Sequence, residues 1–294
     1  KRQRMDENDE NAAPSGGYAA VNLLVENNES DAEDYGSIID AFNQDRKSID
    51  RHVTQEAHEI IESDPELKNC KSTVIYNPRW MKGIVGIVAS RLIETYFRPT
   101  VVLTQSNGFA TGSARSVPGF DLYQAVESCA DLLENFGGHM YAAGLTMRPE
   151  NVGEFTRRFN AYVEENIDPQ MLVPQVDVDA ELLFSEITPA FRRELKRFEP
   201  FGPGNAAPIF ATRSVSNRGD AKLVGAECEH LRMDLTQRQK PNTTLQCIAF
   251  QQPEHFEWIR SGRPVDVCYQ IVENHYRGTV STQLRIKDIK RVEK

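Results

Sequence analysis

The sequence predicts a long helix, then an α/β domain, and then an all-β domain that closes as a small barrel. Three observations predict this fold class. Apolar residues recur with the period of a helix before residue 64, strand-like and helix-like runs alternate between residues 71 and 168, and short strand-like runs separated by turn residues fill the rest. A chain of 294 residues is long enough for two domains with separate cores.

The composition is typical of a soluble globular protein, with 26% charged and 39% apolar residues. No apolar run approaches the ~20 residues of a membrane-spanning helix. The N-terminus lacks the apolar stretch of a secretory signal, so we expect a cytoplasmic protein. The cysteines form no C-x-x-C pair, and buried free thiols are the simplest interpretation. They are Cys70, Cys129, Cys228, Cys247 and Cys268.

The formal net charge of −9 at first argues against a nucleic-acid partner, because phosphate binding normally requires a basic surface. The acidity is local, however. Residues 1–70 contain 7 Lys and Arg against 17 Asp and Glu, residues 71–167 contain 9 of each, and residues 168–294 contain 18 against 17. A near-neutral domain can still carry a basic groove, so net charge neither supports nor excludes DNA binding.

The N-terminal part divides at its paired glycines. Residues 1–17 are polar and charged, so we expect them to be disordered or foreign to the fold. From Tyr35 to Ser63 apolar residues recur at steps of three, four and seven, which predicts a long amphipathic helix. Its apolar positions are Ile38, Phe42, Ile49, Val53, Ala57 and Ile60.

Residues 71–168 are predicted to form the α/β domain. The predicted strands are 72–76, 100–104, 109–115 and 145–147, and the predicted helices are 83–96, 121–136 and 150–166. Asp121 is placed to cap the second helix, and Gly137-Gly138 to end it. Two prolines then mark 168–174 as a linker.

The domain at 175–294 is predicted to be all-β with one helix, at 189–198. Its predicted strands are 176–182, 208–216, 221–226, 230–235, 243–250, 264–273 and 281–289. Short, turn-separated strands in this number suggest a small barrel or sandwich, with an OB-fold as the natural candidate.

Two loops contain residues suited to phosphate. Gly137-Gly138 after a helix would let the backbone N–H groups approach an anion, and His139 would add a donor. At the end of a strand, Ser113 and Arg115 share a face, because side chains alternate along a strand, and Arg offers a fork that fits phosphate oxygens. The simpler alternatives are a helix that merely ends at its glycines and an ordinary solvated Arg.

Together these segments resemble a known family. WMKGIVGIVASRL at 80–92, GSARS at 112–116 and FGGHMYAAG at 136–144 resemble the DHH-associated domain of the DHH phosphoesterase superfamily, and the first is close to its RecJ-type version. EPFGPGN at 199–205, EHL at 229–231 and ENHYRG at 273–278 resemble the OB-fold domain of the same exonucleases. The resemblance covers residues 18–292.

The resemblance implies a single-stranded-DNA-specific 5′ to 3′ exonuclease of DNA repair and recombination. Two divalent metal ions, Mn²⁺ or Mg²⁺, belong to a separate N-terminal DHH domain of the same protein, and residues 18–70 would hold the end of that domain and a connector helix. The DHH-associated domain would bind DNA phosphates through Ser113, Arg115, Ser116, Gly137, Gly138 and His139, with His139 assisting catalysis. The OB-fold would bind the single strand through Asn205, His230, Asn274, Tyr276 and Arg277.

The segment Asn274-His-Tyr-Arg-Gly278 illustrates the choice between function and structure. Tyr276 could stack on a base and Arg277 could meet a phosphate, whereas the alternative is a hairpin turn whose polar residues face water. We predict a DNA contact because of the resemblance.

Three departures from the family pattern limit the prediction. The chain has no Asp-His-His motif and no Asp-x-Asp strand, so we expect no metal centre within it and no nuclease activity from it alone. Met81 stands where relatives usually have His, and the residues before Tyr18 do not match a DHH domain.

Two other functions remain open. The chain could be a non-catalytic single-strand-binding or scaffold relative, which would also lack the metal motifs. It could instead resemble phosphodiesterases that act on cyclic dinucleotides or very short RNA, since they share the Gly-Gly-His loop. The OB-like domain from Val176 onward favours polymeric DNA over small substrates.

Overall fold

The computed structural model describes residues 16–238, 243–276 and 278–292, except for the side chain of Tyr276. The chain forms two compact units, divided between Pro174 and Gln175 at the end of the predicted linker. None of the helices in these ranges has an apolar stretch of membrane-spanning length.

Helices flank a five-stranded sheet in the first unit. The helices are α1 (Gly16–Val25), α2 (Glu29–Ser63), α3 (Pro65–Asn69), α4 (Val85–Tyr96), α5 (Leu122–Glu127) and α6 (Val152–Asn166). The strands are β1 (Thr73–Tyr76), β2 (Thr100–Ser106), β3 (Phe109–Arg115), β4 (Leu133–His139) and β5 (Ala142–Met147). Their order is β1-β2-β3-β5-β4; β1 and β2 are parallel, and the other pairs are antiparallel.

Each face of this sheet has its own core. Val101, Leu103 and Leu145 belong to the core that α5 and α6 cover. Ile75 and Val102 point to the opposite face and pack with α2 and α4. The alternation of side chains along the strands separates the two sets.

The long helix α2 is fastened to α4 by a largely hidden ion pair. Asp50 is only 1% exposed, and its Oδ2 lies 2.7 Å from Nη2 of Arg91. Trp80 adds a hydrogen bond from its indole N–H to Glu56, 2.7 Å long. Arg91 therefore has a structural role, as the partner that α4 supplies to Asp50.

The predicted helix at 121–136 is wrong beyond its first two turns. Asp121 does cap a helix, because its Oδ1 accepts from the N–H of Gln124, but that helix ends at Glu127 and β4 begins at Leu133. The apolar residues of this segment have the spacing of a helix, but the residues from Leu133 onward form a strand because they pair with β5. Gly138 fits this pairing closely, since a Cβ there would lie 2.2 Å from the carbonyl oxygen of Ala142.

The second unit consists mainly of strands. They are β6 (Ala180–Glu181), β7 (Phe210–Asn217), β8 (Lys222–Val224), β9 (His230–Gln237), β10 (Thr243–Phe250), β11 (Val265–Tyr276) and β12 (Thr279–Arg291). The helices are α7 (Pro189–Lys196) and α8 (Phe256–Arg260).

Five of these strands close into the predicted OB-like barrel. β7 pairs with β9, β9 with β10, β10 with β12, β12 with β11, and β11 with β7. Only β10 and β12 are parallel in this ring. The interior includes Leu231, Met233, Cys247, Tyr269 and Leu284. The α/β domain followed by an OB-like barrel, preceded by a long helix, is thus confirmed.

Several local predictions differ from the structure. Gly16 and Gly17 begin α1 instead of belonging to a disordered segment, while residues 1–15 lie outside the described residues. The strand predicted at 176–182 is reduced to Ala180–Glu181, and the five-residue α8 is too short to leave a periodic signal. Cys228 is exposed, contrary to the expectation of buried thiols.

Candidate nucleic-acid interface

One face of the first sheet carries mainly small or polar side chains on β3, β5 and β4, with Phe109 at the start of β3 as the exception. Thr111 and Thr146 show that these strands share this face, because their hydroxyl oxygens lie 3.1 Å apart. We name it the β3-β5-β4 face. Its rows, from β3 across β5 to β4, are Thr111-Thr146-Asn135, Ser113-Gly144-Gly137 and Arg115-Ala142-His139.

The middle of this face is flat, because the paired residues Gly137 and Gly144 have no side chains there, and we name these two glycines the floor. Gly137 and Gly144 are exposed, and a Cβ built on Gly137 meets nothing within 4 Å, while one on Gly144 meets only the oxygen of Gly112 at 4.0 Å. The space above these two glycines is therefore open, so a ligand could approach the backbone closely there. The sequence predicted such an approach at a helix end, but the structure places it in an antiparallel sheet.

Arg115 forms one side of this floor. Its Nη1 donates to the hydroxyl of Ser113 at 2.7 Å and to the carbonyl of Ala114 at 2.9 Å, which fixes the guanidinium on the open face. Gly86 of α4 makes room for it, since a Cβ at Gly86 would lie 3.0 Å from Nη2 of Arg115. A guanidinium held in this way is suited to phosphate oxygens.

His139 forms the opposite side, at the end of the edge strand β4. Its ring is exposed, and its Nδ1 accepts from the N–H of Tyr141 at 3.3 Å. In the neutral ring the proton then lies on Nε2, which is the atom that can donate to a phosphate oxygen. The structure brings Ser113, Arg115 and His139 to one face of the sheet.

Two other predicted residues have structural roles in this unit. The hydroxyl of Ser116 donates to the carbonyl oxygens of Phe120 and Val117, at 2.8 and 3.2 Å, and so closes the turn after β3. Gly138 is needed for the close approach to Ala142. Their contact with DNA stays a prediction.

The second unit has a polar and aromatic surface on the outside of its barrel, which we name the outer face. It lies on β9, β10 and β12 and consists of His230, Arg232, Asp234, Gln246, Ile248, Phe250, Gln283 and Arg285. Their neighbours along each strand, such as Leu231 and Leu284, point into the core. In OB-folds this surface of the second and third strands, here β9 and β10, binds oligonucleotides.

Phe250 is the aromatic centre of the outer face. It is 47% exposed, its ring meets the ring of His230 edge-on at 4.9 Å, and the guanidinium of Arg285 lies 5.9 Å from its centre. An exposed ring beside a cation is suited to stacking on a base while the cation meets the backbone. Burial raises the pKa of Asp234 on the same surface, and the neighbouring carboxylate of Asp220 raises it further. Asp234 is therefore protonated more readily than a solvated aspartic acid.

Of these outer-face residues, His230 was predicted from the sequence as a DNA contact, whereas Phe250, Arg232 and Arg285 were not. The sequence did contain a signal for Phe250. Alternation along TTLQCIAF places Phe250 on the face of the strand opposite to the buried Cys247 and Ala249. An aromatic residue on the polar side of a strand is the pattern to look for. The pairing of β10 with β12, which places Arg285 nearby, has no local sequence signal.

The predicted hairpin contact is only partly described. Asn274 and Tyr276 both belong to β11, which ends at Tyr276, and they pair with Ser281 and Thr279. Asn274 is therefore part of a strand and not of the turn. Gly278 takes φ +76°, as a tight hairpin requires. Arg277 lies outside the described residues, and its contact with DNA stays a prediction.

Asn205 stabilises its own loop. Its Nδ2 donates to the carbonyl oxygens of Phe198 and Pro200, at 2.8 and 3.1 Å, and its backbone pairs with Gly202. The amide therefore holds the loop after α7 together. The predicted DNA contact from Asn205 remains untested.

A two-metal centre does not fit the described part of the chain. Residues 16–238, 243–276 and 278–292 contain no group of three or more His, Cys, Asp and Glu side chains that could hold a metal ion.

Known proteins match both units. The DHHA1 domain family matches residues 69–165, and the RecJ OB domain family matches residues 178–288. The chain is 31% identical over 272 residues to the single-stranded-DNA-specific exonuclease RecJ of Bacillus subtilis, and 32% identical over 280 residues to that of Salmonella typhimurium. Each alignment covers 92% of this chain, but 34% and 47% of those proteins.

The fold is also similar to a solved structure. The crystal structure of RecJ from Thermus thermophilus in complex with Mg²⁺ superposes with a TM-score of 0.72 at 26% identity, over 94% of this chain and 41% of that chain. A second structure of the same protein contains Mn²⁺. The chain thus spans between a third and a half of the length of these relatives.

Proposed function

Since the chain belongs to the RecJ family through its DHHA1 and RecJ OB domains, we propose that it is the DNA-holding part of a 5′ to 3′ exonuclease specific for single-stranded DNA. It would act in DNA repair and recombination, in the cytoplasm. Its partners would be the single strand and a DHH domain of the same protein, and that domain would hold the Mg²⁺ or Mn²⁺ ions.

The observation that carries this proposal is the outer face, where Phe250, His230 and Arg285 lie together on an OB-type barrel. Stacking on a ring requires an unpaired base, whose face is free, so this surface favours a single strand over a duplex. The adjacent cation can meet the backbone without reading the sequence.

The β3-β5-β4 face supplies the second half of the proposal. Arg115 and His139 flank the open floor over Gly144, and both can donate to phosphate oxygens. In a protein that contains the metal centre, they would hold the phosphate that is being cleaved while the metal ions activate the attacking water. Ser113 would keep Arg115 in place.

The test is a nuclease assay with Mg²⁺ or Mn²⁺ on two proteins. The first is the chain alone, and the second is a chimera in which the chain replaces the matching C-terminal segment of Bacillus subtilis RecJ. We expect no digestion by the chain alone, and digestion of single strands from the 5′ end by the chimera. The N-terminal segment of that relative, assayed alone, is the control. Metal-dependent digestion by the purified chain would contradict the proposal.

A second candidate function is that of a binding protein without catalysis. The same outer face would serve it, since stacking and phosphate contacts do not require a metal centre. The chimera separates the two functions. If it folds and binds DNA but does not cleave it, the chain is a binding module.

A further inference from the structure

An exposed aromatic ring lies beside the candidate phosphate site of the first unit. Tyr141 belongs to the two-residue turn between β4 and β5, directly before Ala142, and it is 50% exposed. Its ring meets the ring of His139 edge-on, with the ring centres 6.1 Å apart. Strand alternation does not determine where the side chain of a turn residue points, so this contact is what places the Tyr141 ring next to the β3-β5-β4 face.

The turn that carries this ring is held by hydrogen bonds from its own backbone. The carbonyl oxygen of Tyr141 accepts from the N–H of Ser116 at 3.0 Å, and that of Met140 accepts from the N–H of Leu122 at 3.1 Å. The N–H of Tyr141 donates to Nδ1 of His139 at 3.3 Å. A ring on a fixed backbone loses little conformational freedom when a ligand binds to it, which favours binding.

The fold makes little use of the Tyr141 side chain. Within the part of the chain that the structure describes, neither core of the first unit includes Tyr141, and no residue hydrogen-bonds its hydroxyl group. Its one ring contact among these residues is with His139. A large part of the ring is therefore available for a ligand.

The other exposed ring on this face is too far away to serve the same nucleotide. Phe109, which is 39% exposed, lies six residues before Arg115 on β3, a distance of roughly 20 Å along a strand. The base and the phosphate of one nucleotide are joined through a single sugar, so they lie closer together than this. Tyr141 directly precedes Ala142, the middle residue of the row that contains Arg115 and His139.

We propose that Tyr141 stacks on the base of the nucleotide whose phosphate lies between Arg115 and His139. The inference rests on the proposed function and extends it, because the first unit then holds a whole nucleotide and not a phosphate alone. Every base has a face that can stack, so the contact does not depend on sequence. It requires a base that is free of its partner strand, as in a single strand.

A nucleotide that lacks its base isolates this contact. It keeps its phosphate, and with it the contacts to Arg115 and His139, but it has nothing to stack on Tyr141. The loss caused by removing the base and the loss caused by removing the ring should therefore be the same loss, and combining the two should cost little more than either one.

The experiment measures steady-state digestion of single-stranded oligonucleotides by the chimera described above. One oligonucleotide is intact, and three others carry a single abasic analogue at the first, second or third nucleotide from the 5′ end. The test variants are Tyr141→Ala and Tyr141→Phe. The matched control is Met140→Ala, which alters the other residue of the same turn and is 37% exposed. Thermal unfolding checks that each variant is folded.

We expect Tyr141→Ala to raise KM for the intact strand at least about fivefold, the lower end of the loss for one stacked base. The value of kcat should stay within about twofold, because stacking binds the substrate and the transition state alike. Tyr141→Phe and Met140→Ala should stay within about twofold of the unaltered chimera in both constants. At one of the abasic positions the unaltered chimera should show the same rise in KM, and Tyr141→Ala should add less than about twofold to it.

An equal loss in Tyr141→Ala on the intact strand and on all three abasic strands would overturn the inference, because the ring would then pack against the rest of the protein and not against a base. Unchanged KM in Tyr141→Ala, or an unaltered chimera that digests all four strands equally well, would also overturn it and would leave the proposed function standing. If the folded, unaltered chimera digests no single strand, the proposed function fails, and this inference fails with it.

Discussion

Arg115 and His139 belong to one row of the first sheet, because each pairs in register with Ala142 of the strand between them. Their backbones are separated by two strand spacings, about 10 Å, and their side chains point to the same face. Arg115 and His139 thus stand on either side of Ala142, the middle residue of their row. They are distant in sequence, so only the sheet brings them together.

His139→Ala should lower the turnover of the chimera at least tenfold, because it removes one donor to the phosphate. The melting temperature should change little, since the ring is exposed and, within the part of the chain that the structure describes, accepts a hydrogen bond from the N–H of Tyr141 alone. Steady-state kinetics and thermal unfolding measure the two effects. His52→Ala, which alters an exposed histidine of α2, is the matched control. Normal turnover combined with a large loss of stability would assign His139 to structure.

Two glycines that lie near each other on paired strands should respond differently to the same substitution. Gly144→Ala should impair turnover without loss of stability, because its Cβ occupies the open floor and meets no protein atom closer than 4.0 Å. Gly138→Ala should destabilise the fold, because its Cβ would lie 2.2 Å from the oxygen of Ala142. Urea unfolding and turnover distinguish the outcomes. A stable Gly144→Ala with full activity would show that no ligand uses the floor.

Phe250→Ala should weaken single-strand binding by about five- to 160-fold, the loss expected for one stacked base at roughly 1–3 kcal/mol. Phe250→Trp should restore it, since another ring can stack. The control is Phe42→Ala, which removes an aromatic ring that is 48% exposed on α2. Fluorescence anisotropy with a labelled oligonucleotide measures each affinity. Unchanged affinity in Phe250→Ala would exclude stacking at this position.

The Asp50–Arg91 pair gives a prediction about stability. Arg91→Met should cost about 2–3 kcal/mol of unfolding free energy, because it leaves the carboxylate of Asp50 buried without its partner. This is below the cost for a fully buried pair, since Arg91 is 40% exposed. Asp50→Leu/Arg91→Met should recover most of the loss. Urea denaturation of both variants tests this, and an equal loss in the double variant would contradict it.

The order of elements could be predicted from the sequence where local pattern determines structure. The strand predicted at 243–250 from the alternation of apolar and polar residues has the same two ends in the structure. The apolar spacing along α2 likewise predicted that this helix ends at Ser63. The structure of 128–136 could not be predicted, because its apolar residues suit a helix. The chain instead forms a short 3-10 helix at Ala130–Leu132, and only the pairing with β5 makes the residues from Leu133 onward a strand.

The candidate site was predictable where glycines and an arginine marked it, at Arg115, Gly137 and His139. The outer face was harder to predict, because Phe250 and Arg285 are brought together by the parallel pairing of β10 and β12. Such pairing is a property of the closed barrel, and no short stretch of sequence indicates it.

The most direct test of the account is the affinity of the chain for a single-stranded oligonucleotide compared with a duplex of the same sequence, measured over a series of salt concentrations. We predict tighter binding of the single strand at every salt concentration. The difference should persist at high salt, where phosphate contacts weaken and base stacking on Phe250 remains. Equal affinity for both forms, or a preference for the single strand that disappears as salt rises, would contradict it.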